Sequence, residues 1–148
     1  RTNQRTKPGD QANDMKTLVE QLDRIVANNQ LAWQRDGHSV RVELARSGRA
    51  QTVQLSLKDD RYRFQSTVLP AREVTRKQRL WRDIAYRAWR RNAMKELVTF
   101  AFDKNDRLIG VVEVPAGTLQ DEELRIYIEA LAKECDRFEY ALKGWDRE

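Results

Sequence analysis

SVRVELARSGRAQTVQLSLKDDRYRFQSTVLP, residues 39–70, decides the fold. Val40, Val42 and Leu44 alternate with Arg41 and Glu43, and Val53, Leu55 and Leu57 alternate with Gln54 and Ser56. Tyr62, Phe64 and Ser66 continue the pattern until Pro70. Successive side chains of a strand point to opposite faces, so period-two alternation marks strands buried on one side and wet on the other. Ser47-Gly48 and Lys58-Asp59-Asp60 supply the turns, and the stretch reads as an antiparallel three-strand meander. Trp33, just ahead of it, is placed at the sheet's edge.

Upstream, residues 1–13 are polar, carry Pro8 and Gly9, and read as a flexible arm. Asp14 then caps a helix to about Asn28 whose apolar face is Met15, Leu18, Leu22, Ile25 and Val26. Downstream, RKQRLWRDIAYRAWRRNAM, residues 76–94, is an amphipathic helix. Trp81, Ile84, Ala85, Ala88 and Trp89 form its apolar arc, expected to dock on the sheet or on a second subunit. Arg76, Lys77, Arg79, Arg87, Arg90 and Arg91 gather on a separate basic arc. Leu97 to Phe102 and Leu108 to Val114 make two further strands around the turn Asp103-Lys104-Asn105-Asp106. Thr118 with Asp121 resembles a capping box for a last helix with the stripe Leu124, Tyr127, Ile128, Leu131, Cys135, Phe138 and Leu142, and Gly144 is its expected C′ residue. The order α-β-β-β-α-β-β-α groups its strands into meanders. It predicts an α+β fold, an antiparallel sheet with helices packed on it, and one domain over residues 14–148.

The composition bounds the function. The 148 residues hold 28 Lys and Arg against 23 Asp and Glu, a net charge of +5, which favours acidic partners. No apolar run approaches the roughly 20 residues of a membrane span, so no membrane insertion is expected. One cysteine, Cys135, makes no internal disulfide and suits a reducing cytoplasm. With one histidine, no ordinary nitrogen–sulfur metal site is expected, and no cofactor. The turn from Asp103 fails as a calcium loop, because the fifth, sixth and twelfth places hold Arg107, Leu108 and Val114. His38 reads as a surface turn residue and Cys135 as a buried thiol. Asp121, Glu122 and Glu123 complement a helix N-terminus. No catalytic motif emerges, and the protein reads as a non-enzyme.

The basic helix makes the positive case. From Arg72 to Lys95 there are nine Lys or Arg against Glu73 and Asp83, and arginine outnumbers lysine seven to two. Arginine forks grip carboxylates and phosphates bidentately. An acidic protein partner is the first reading of Arg76, Lys77, Arg79, Arg87, Arg90 and Arg91. A nucleic acid, gripped by the same arc with Tyr86 and Trp89 stacking and Arg1, Arg5 and Lys7 helping, is the alternative; a solvated face needs neither.

RRNAMKELVTFAFDKNDRLIGVVEVPAG, residues 90–117, followed by TLQDEELRIYIEAL, residues 118–131, has the layout of a known group. Its helix ending in Asn, strand, short acidic turn, strand and LQDEEL helix opening resemble the YbjN-like bacterial proteins. The whole order after residue 13 is similar to that of the class I type III secretion chaperones, which share that fold. The resemblance implies a non-enzymatic, often dimeric protein that holds or escorts a protein partner, with no catalytic residues to carry over. Such chaperones are usually acidic and this chain is basic, which shifts the implication toward the broader YbjN-like group. In a homodimer Trp81 and Trp89 are expected at the interface, since aromatic residues are enriched there.

Overall fold

The computed structural model describes residues 8–28, 32–75, 78–94 and 97–145. Its elements are α1 (Pro8–Ala27), β1 (Trp33–Asp36), β2 (Ser39–Glu43), β3 (Ala50–Lys58), β4 (Arg61–Leu69), α2 (Ala71–Thr75), α3 (Gln78–Ala93), β5 (Thr99–Phe102), β6 (Leu108–Pro115) and α4 (Asp121–Trp145). All strand pairs are antiparallel, in one six-stranded sheet ordered β1-β2-β3-β4-β6-β5. After β4 the chain leaves the sheet through α2 and α3, returns on the far edge as β5, and fills the gap with β6.

The alternation of residues 39–66 is realised except at Leu44, which lies past the end of β2, and Leu57, both of which are half-buried. Val40, Val42, Val53, Leu55, Tyr62, Phe64 and Ser66 are buried, while Arg41, Thr52, Gln54 and Ser56 are exposed. Arg63 pairs with Glu113 across the wet face. The turn between β3 and β4 is a two-residue hairpin in which Asp59 and Asp60 both take positive φ, 50° and 65°. Paired positive φ matches the strand twist, and aspartate tolerates it better than most residues. Ser66, a small polar residue on the buried face of β4, lies 2.9 Å from both Gln51 Oε1 and the Thr52 carbonyl.

Helix α4 lies across β3, β4 and β6, and α1 packs beside it. Leu124, Ile128, Leu131, Cys135, Phe138 and Leu142 are buried, as their spacing requires. Gly110 on β6 lets α4 approach closely: a Cβ there would lie 3.1 Å from Val98 Cγ1 and 3.3 Å from Leu131 Cδ1, and would collide with Cys135 Sγ. Polar ties fix α1. Gln21 donates to the Leu119 carbonyl at 2.7 Å, Tyr62 donates to the Asp14 carbonyl at 2.8 Å, Arg24 pairs with Asp121, and Arg35 of β1 pairs with Asp23.

Several boundaries differ from the sequence reading. Helix α1 starts at Pro8, not Asp14. Proline is well tolerated in a first helical turn, where its missing N–H needs no intrahelical acceptor. Residues 1–7 of the expected arm lie outside the described residues. An extra strand, β1, precedes the meander. Its sequence WQRD has one apolar residue, Trp33, too little for a visible alternation, yet it pairs fully with β2. The helix expected over 76–94 is α3, and a short helix absent from the sequence reading, α2, precedes it, so the order is α-β-β-β-β-α-α-β-β-α. Strand β5 starts at Thr99, and Leu97 is exposed. The capping pair of α4 is Gln120 with Glu123, whose Oε1 accepts the Gln120 N–H at 3.1 Å, rather than Thr118 with Asp121. Gly144 lies inside α4, not past its end.

Asn92, in the last turn of α3, joins the helix to the sheet edge. Its Nδ2 donates to the Phe100 carbonyl and its Oδ1 accepts the Phe100 N–H, both at 2.8 Å. These two Phe100 groups face away from β6, so the side chain satisfies backbone that an edge strand otherwise leaves open. Asn92→Ala should destabilise the fold by about 1–3 kcal/mol, the cost of stranding partly buried polar groups. Asn92→Asp should recover little, because it keeps the acceptor but sets a carboxylate against a carbonyl. Urea denaturation of the three proteins checks this. An alanine variant as stable as the parent would mean that water replaces the amide.

Candidate functional site

The last turns of α3 carry the residues that the sequence singles out, and the helix sorts them into two flanks. Residues three, four and seven apart share a side. Arg87, Arg91 and Met94 form one such set, facing α4 across a groove; Tyr86, Trp89 and Ala93 form another, and Arg90, three residues from Arg87 and four from Tyr86, stands at the boundary between them. Among the α3 residues whose side chains are described, Ile84 and Ala88 are the ones in the core.

This corrects the expected apolar arc. Trp81 is 48% exposed, Trp89 is 64% exposed and Ala85 is half-buried, so the buried seam is narrower and centred on Ile84 and Ala88. The tryptophans are not core residues of the single chain. Trp81 stacks on Phe102 of β5 with centroids 5.8 Å apart, and Tyr86 stacks on Trp89 at 6.1 Å. With exposed Met94 and Leu97 they leave much of the molecule's large apolar exposed surface on and just beyond one helix.

The basic arc is also rearranged. Arg76 and Lys77 lie outside the described residues, and Arg79 sits in the first turn of α3. Arg87, Arg90 and Arg91 line a groove of about 340 Å³ between α3 and α4, with Met94, Phe138 and Ala141 as its other described walls. The three arginines are not equivalent. Arg91 is half-buried, its guanidinium 4.5 Å from the centroid of the Phe138 ring and 3.9 Å from Glu134. A guanidinium over an aromatic face is held by the ring quadrupole. Arg87 is half-buried and Arg90 is exposed. Phe138 in turn meets Phe100 edge-on at 4.8 Å, so the groove floor is continuous with the core.

Phe138 was legible as an apolar stripe residue of the last helix, but its contact with an arginine from another helix has no signature in spacing. Met94 gave no signal beyond closing the basic stretch. Elsewhere, His38 is exposed in the β1–β2 turn. Burial pushes the Cys135 thiol up to about 12, so it stays protonated and unreactive at neutral pH. Asp103 organises its own turn: its carboxylate accepts the N–H groups of Asn105 and Arg107 at 2.9 Å and the Arg107 guanidinium at 2.7 Å. Burial pushes its pKa up, but these bonds outweigh that and hold it below the ordinary value. Among the described residues no group of His, Cys, Asp and Glu is arranged to hold a metal, and no helix is long and apolar enough to cross a membrane.

No protein-family model matches the chain, and no curated protein matches its sequence. Solved structures do match. A chain of the ExsC–ExsE complex superposes with a TM-score of 0.58 at 14% identity, covering 86% of this chain and 95% of that one. The type III secretion chaperone SycH of Yersinia pestis, in complex with a stable fragment of YscM2, gives 0.48 at 13% identity, with coverages of 84% and 98%. The HopA1–SchA chaperone–effector complex gives 0.49 at 15% identity, with coverages of 91% and 94%. At such identities the likeness is one of fold. That fold is α+β and type III secretion chaperone-like, as the element order led one to expect. The narrower likeness to YbjN-like proteins rests on the sequence pattern alone.

Proposed function

We propose that this protein is a non-enzymatic, chaperone-like binding protein, a cytoplasmic homodimer of one domain that begins with α1, and that it presents the basic side of α3 to an acidic protein partner. The observation that carries the reading is the exposure of Trp81, Tyr86 and Trp89 on a helix seated beside edge strand β5. Large aromatic rings left in water on a connecting helix are costly unless covered, and aromatic residues dominate interface cores. A second copy of α3 laid against the first covers them. The neighbours of this fold that were solved as complexes support a protein partner in kind, without naming one.

Multi-angle light scattering at tens of micromolar tests the dimer. The parent should run at twice its monomer mass, and Trp89→Asp, which sets a carboxylate in the covered patch, should run as a folded monomer. A monomeric parent would overturn the dimer.

The exposed Tyr86–Trp89 pair also favours a second reading, a single-stranded nucleic acid stacking on the rings with Arg90 at its backbone. Binding of that kind should fall steeply and log-linearly with salt, at about 0.7 units of slope per phosphate. A protein interface with an apolar centre should fade less.

A further inference from the structure

We infer that the groove between α3 and α4 takes an acidic segment of a protein partner that carries an apolar residue between its carboxylates, and that it does so independently of self-association. This deepens the protein-binding reading above and rests on it. The described walls give the occupant's chemistry. Arg87, Arg90 and Arg91 supply three guanidinium groups and no described wall residue is acidic, so the rim selects carboxylates or phosphates. The floor is different: Phe138 is already covered by Arg91, and the apolar surface left open is Met94, 74% exposed, with half-buried Ala141 beside it. A polyanion alone would satisfy the rim and leave that floor wet. A leucine-like side chain flanked by Asp or Glu satisfies both. About 340 Å³ is near the lower end of binding cavities, enough for a few side chains rather than a folded surface.

Position gives the independence. Arg87, Arg91 and Met94 face Phe138 and Ala141 of α4, whereas Tyr86 and Trp89 lie on the other flank of α3 with Arg90 at the boundary, so a second copy covering the aromatic pair leaves the α4 side of the groove open. Arg90 adds a specific handle. It is exposed and makes no ion pair or hydrogen bond among the described residues, whereas Arg91 is already committed to Phe138 and Glu134. Arg90 is therefore the guanidinium most available to a new carboxylate, and Met94 the apolar side chain most readily covered.

Fluorescence anisotropy with the full chain tests this, using a labelled peptide that alternates glutamate pairs with leucine. Polyglutamate of equal charge and oligothymidylate are the competitors. The peptide should bind, and Arg90→Glu and Met94→Asp should each weaken it by about tenfold or more, the loss of one charge-assisted contact or one buried side chain. Arg90→Lys, which keeps the charge and loses the fork, should fall between. Lys58→Glu, the same charge change on the exposed end of β3, should leave binding unchanged. Polyglutamate competing as well as the peptide would overturn the apolar half of the inference. Oligothymidylate binding with the peptide silent would give the groove to nucleic acid. Light scattering on the same samples separates the failures: a dimer that binds no peptide overturns the groove alone, and an Arg90→Glu protein that also loses the dimer overturns the independence of the flanks.

Discussion

Gly110→Ala should destabilise the protein by about 1–3 kcal/mol, although alanine is ordinarily the better strand residue. Two effects oppose each other. Adding a Cβ restricts the unfolded chain and favours the fold by about 0.4–1 kcal/mol at a position whose backbone accepts it. Gly110 does not occupy the left-handed region, so no backbone strain offsets that gain. The new carbon would, however, collide with Cys135 Sγ and crowd Val98 and Leu131 at 3.1 and 3.3 Å. Interiors pack as densely as organic crystals, and α4 moves off β6 only by opening its contacts with β3 and β4 as well, so overpacking wins. A double-mutant cycle makes the cause explicit. Cys135→Ala removes the sulfur, and Gly110→Ala on that background should cost clearly less than on the parent. Urea denaturation of the four proteins measures it. Strict additivity would place the strain elsewhere, and Gly110→Val should be worse than either single change.

That contact also shows where sequence reading stops. The stripe on α4 and the alternation on β2, β3 and β4 were legible because burial on one face imposes a period, and a period survives in one dimension. Cys135 was correctly placed on the stripe, and a glycine inside a strand pattern is a known mark of close approach. Which helix residue comes close to Gly110 depends on how α4 crosses the sheet, and no spacing encodes that. Strand β1 escaped for a related reason. Gln34, Arg35 and Asp36 are all exposed on an edge strand, so Trp33 alone carries the apolar signal.

The candidate site was half legible. The concentration of arginine over residues 72–95 is a fact of composition, and it singles out the helix that lines the groove. The expected arcs were wrong in detail because an amphipathic count assumes that apolar means buried. On α3 the opposite holds for Trp81 and Trp89, while Arg87 and Arg91 are half-buried. Long arginine stems lie readily along apolar surface with the charge at the rim, so charge alone does not mark the outer face. The mismatch is informative. Two arginines of α3 are half-buried while its two tryptophans stay exposed, and it is on this surface that the proposed dimer and groove rest.

The strongest link between core and site is Phe138, and Phe138→Ala should cost about 3–5 kcal/mol. The ring is 1% exposed, meets Phe100 edge-on and lies beneath the Arg91 guanidinium. Truncation to alanine leaves a cavity that rigid neighbours only partly fill, and it removes the face on which Arg91 rests. Phe138→Leu separates the two roles. Leucine refills most of the volume, so stability should fall by only about 1–2 kcal/mol, within what conservative core changes cost. It has no π-face, so Arg91 loses its attraction to the ring and is free to swing toward Glu134 or solvent. The leucine variant should therefore be a well-folded protein with a disordered groove rim, weaker for the acidic peptide by a margin that its small loss of stability does not explain. Chemical denaturation and peptide anisotropy on the same preparation read both quantities. If affinity and stability fall in proportion across the alanine and leucine variants, Phe138 serves the core alone; if the leucine variant loses affinity while keeping its stability, the same ring that closes the core also positions the site.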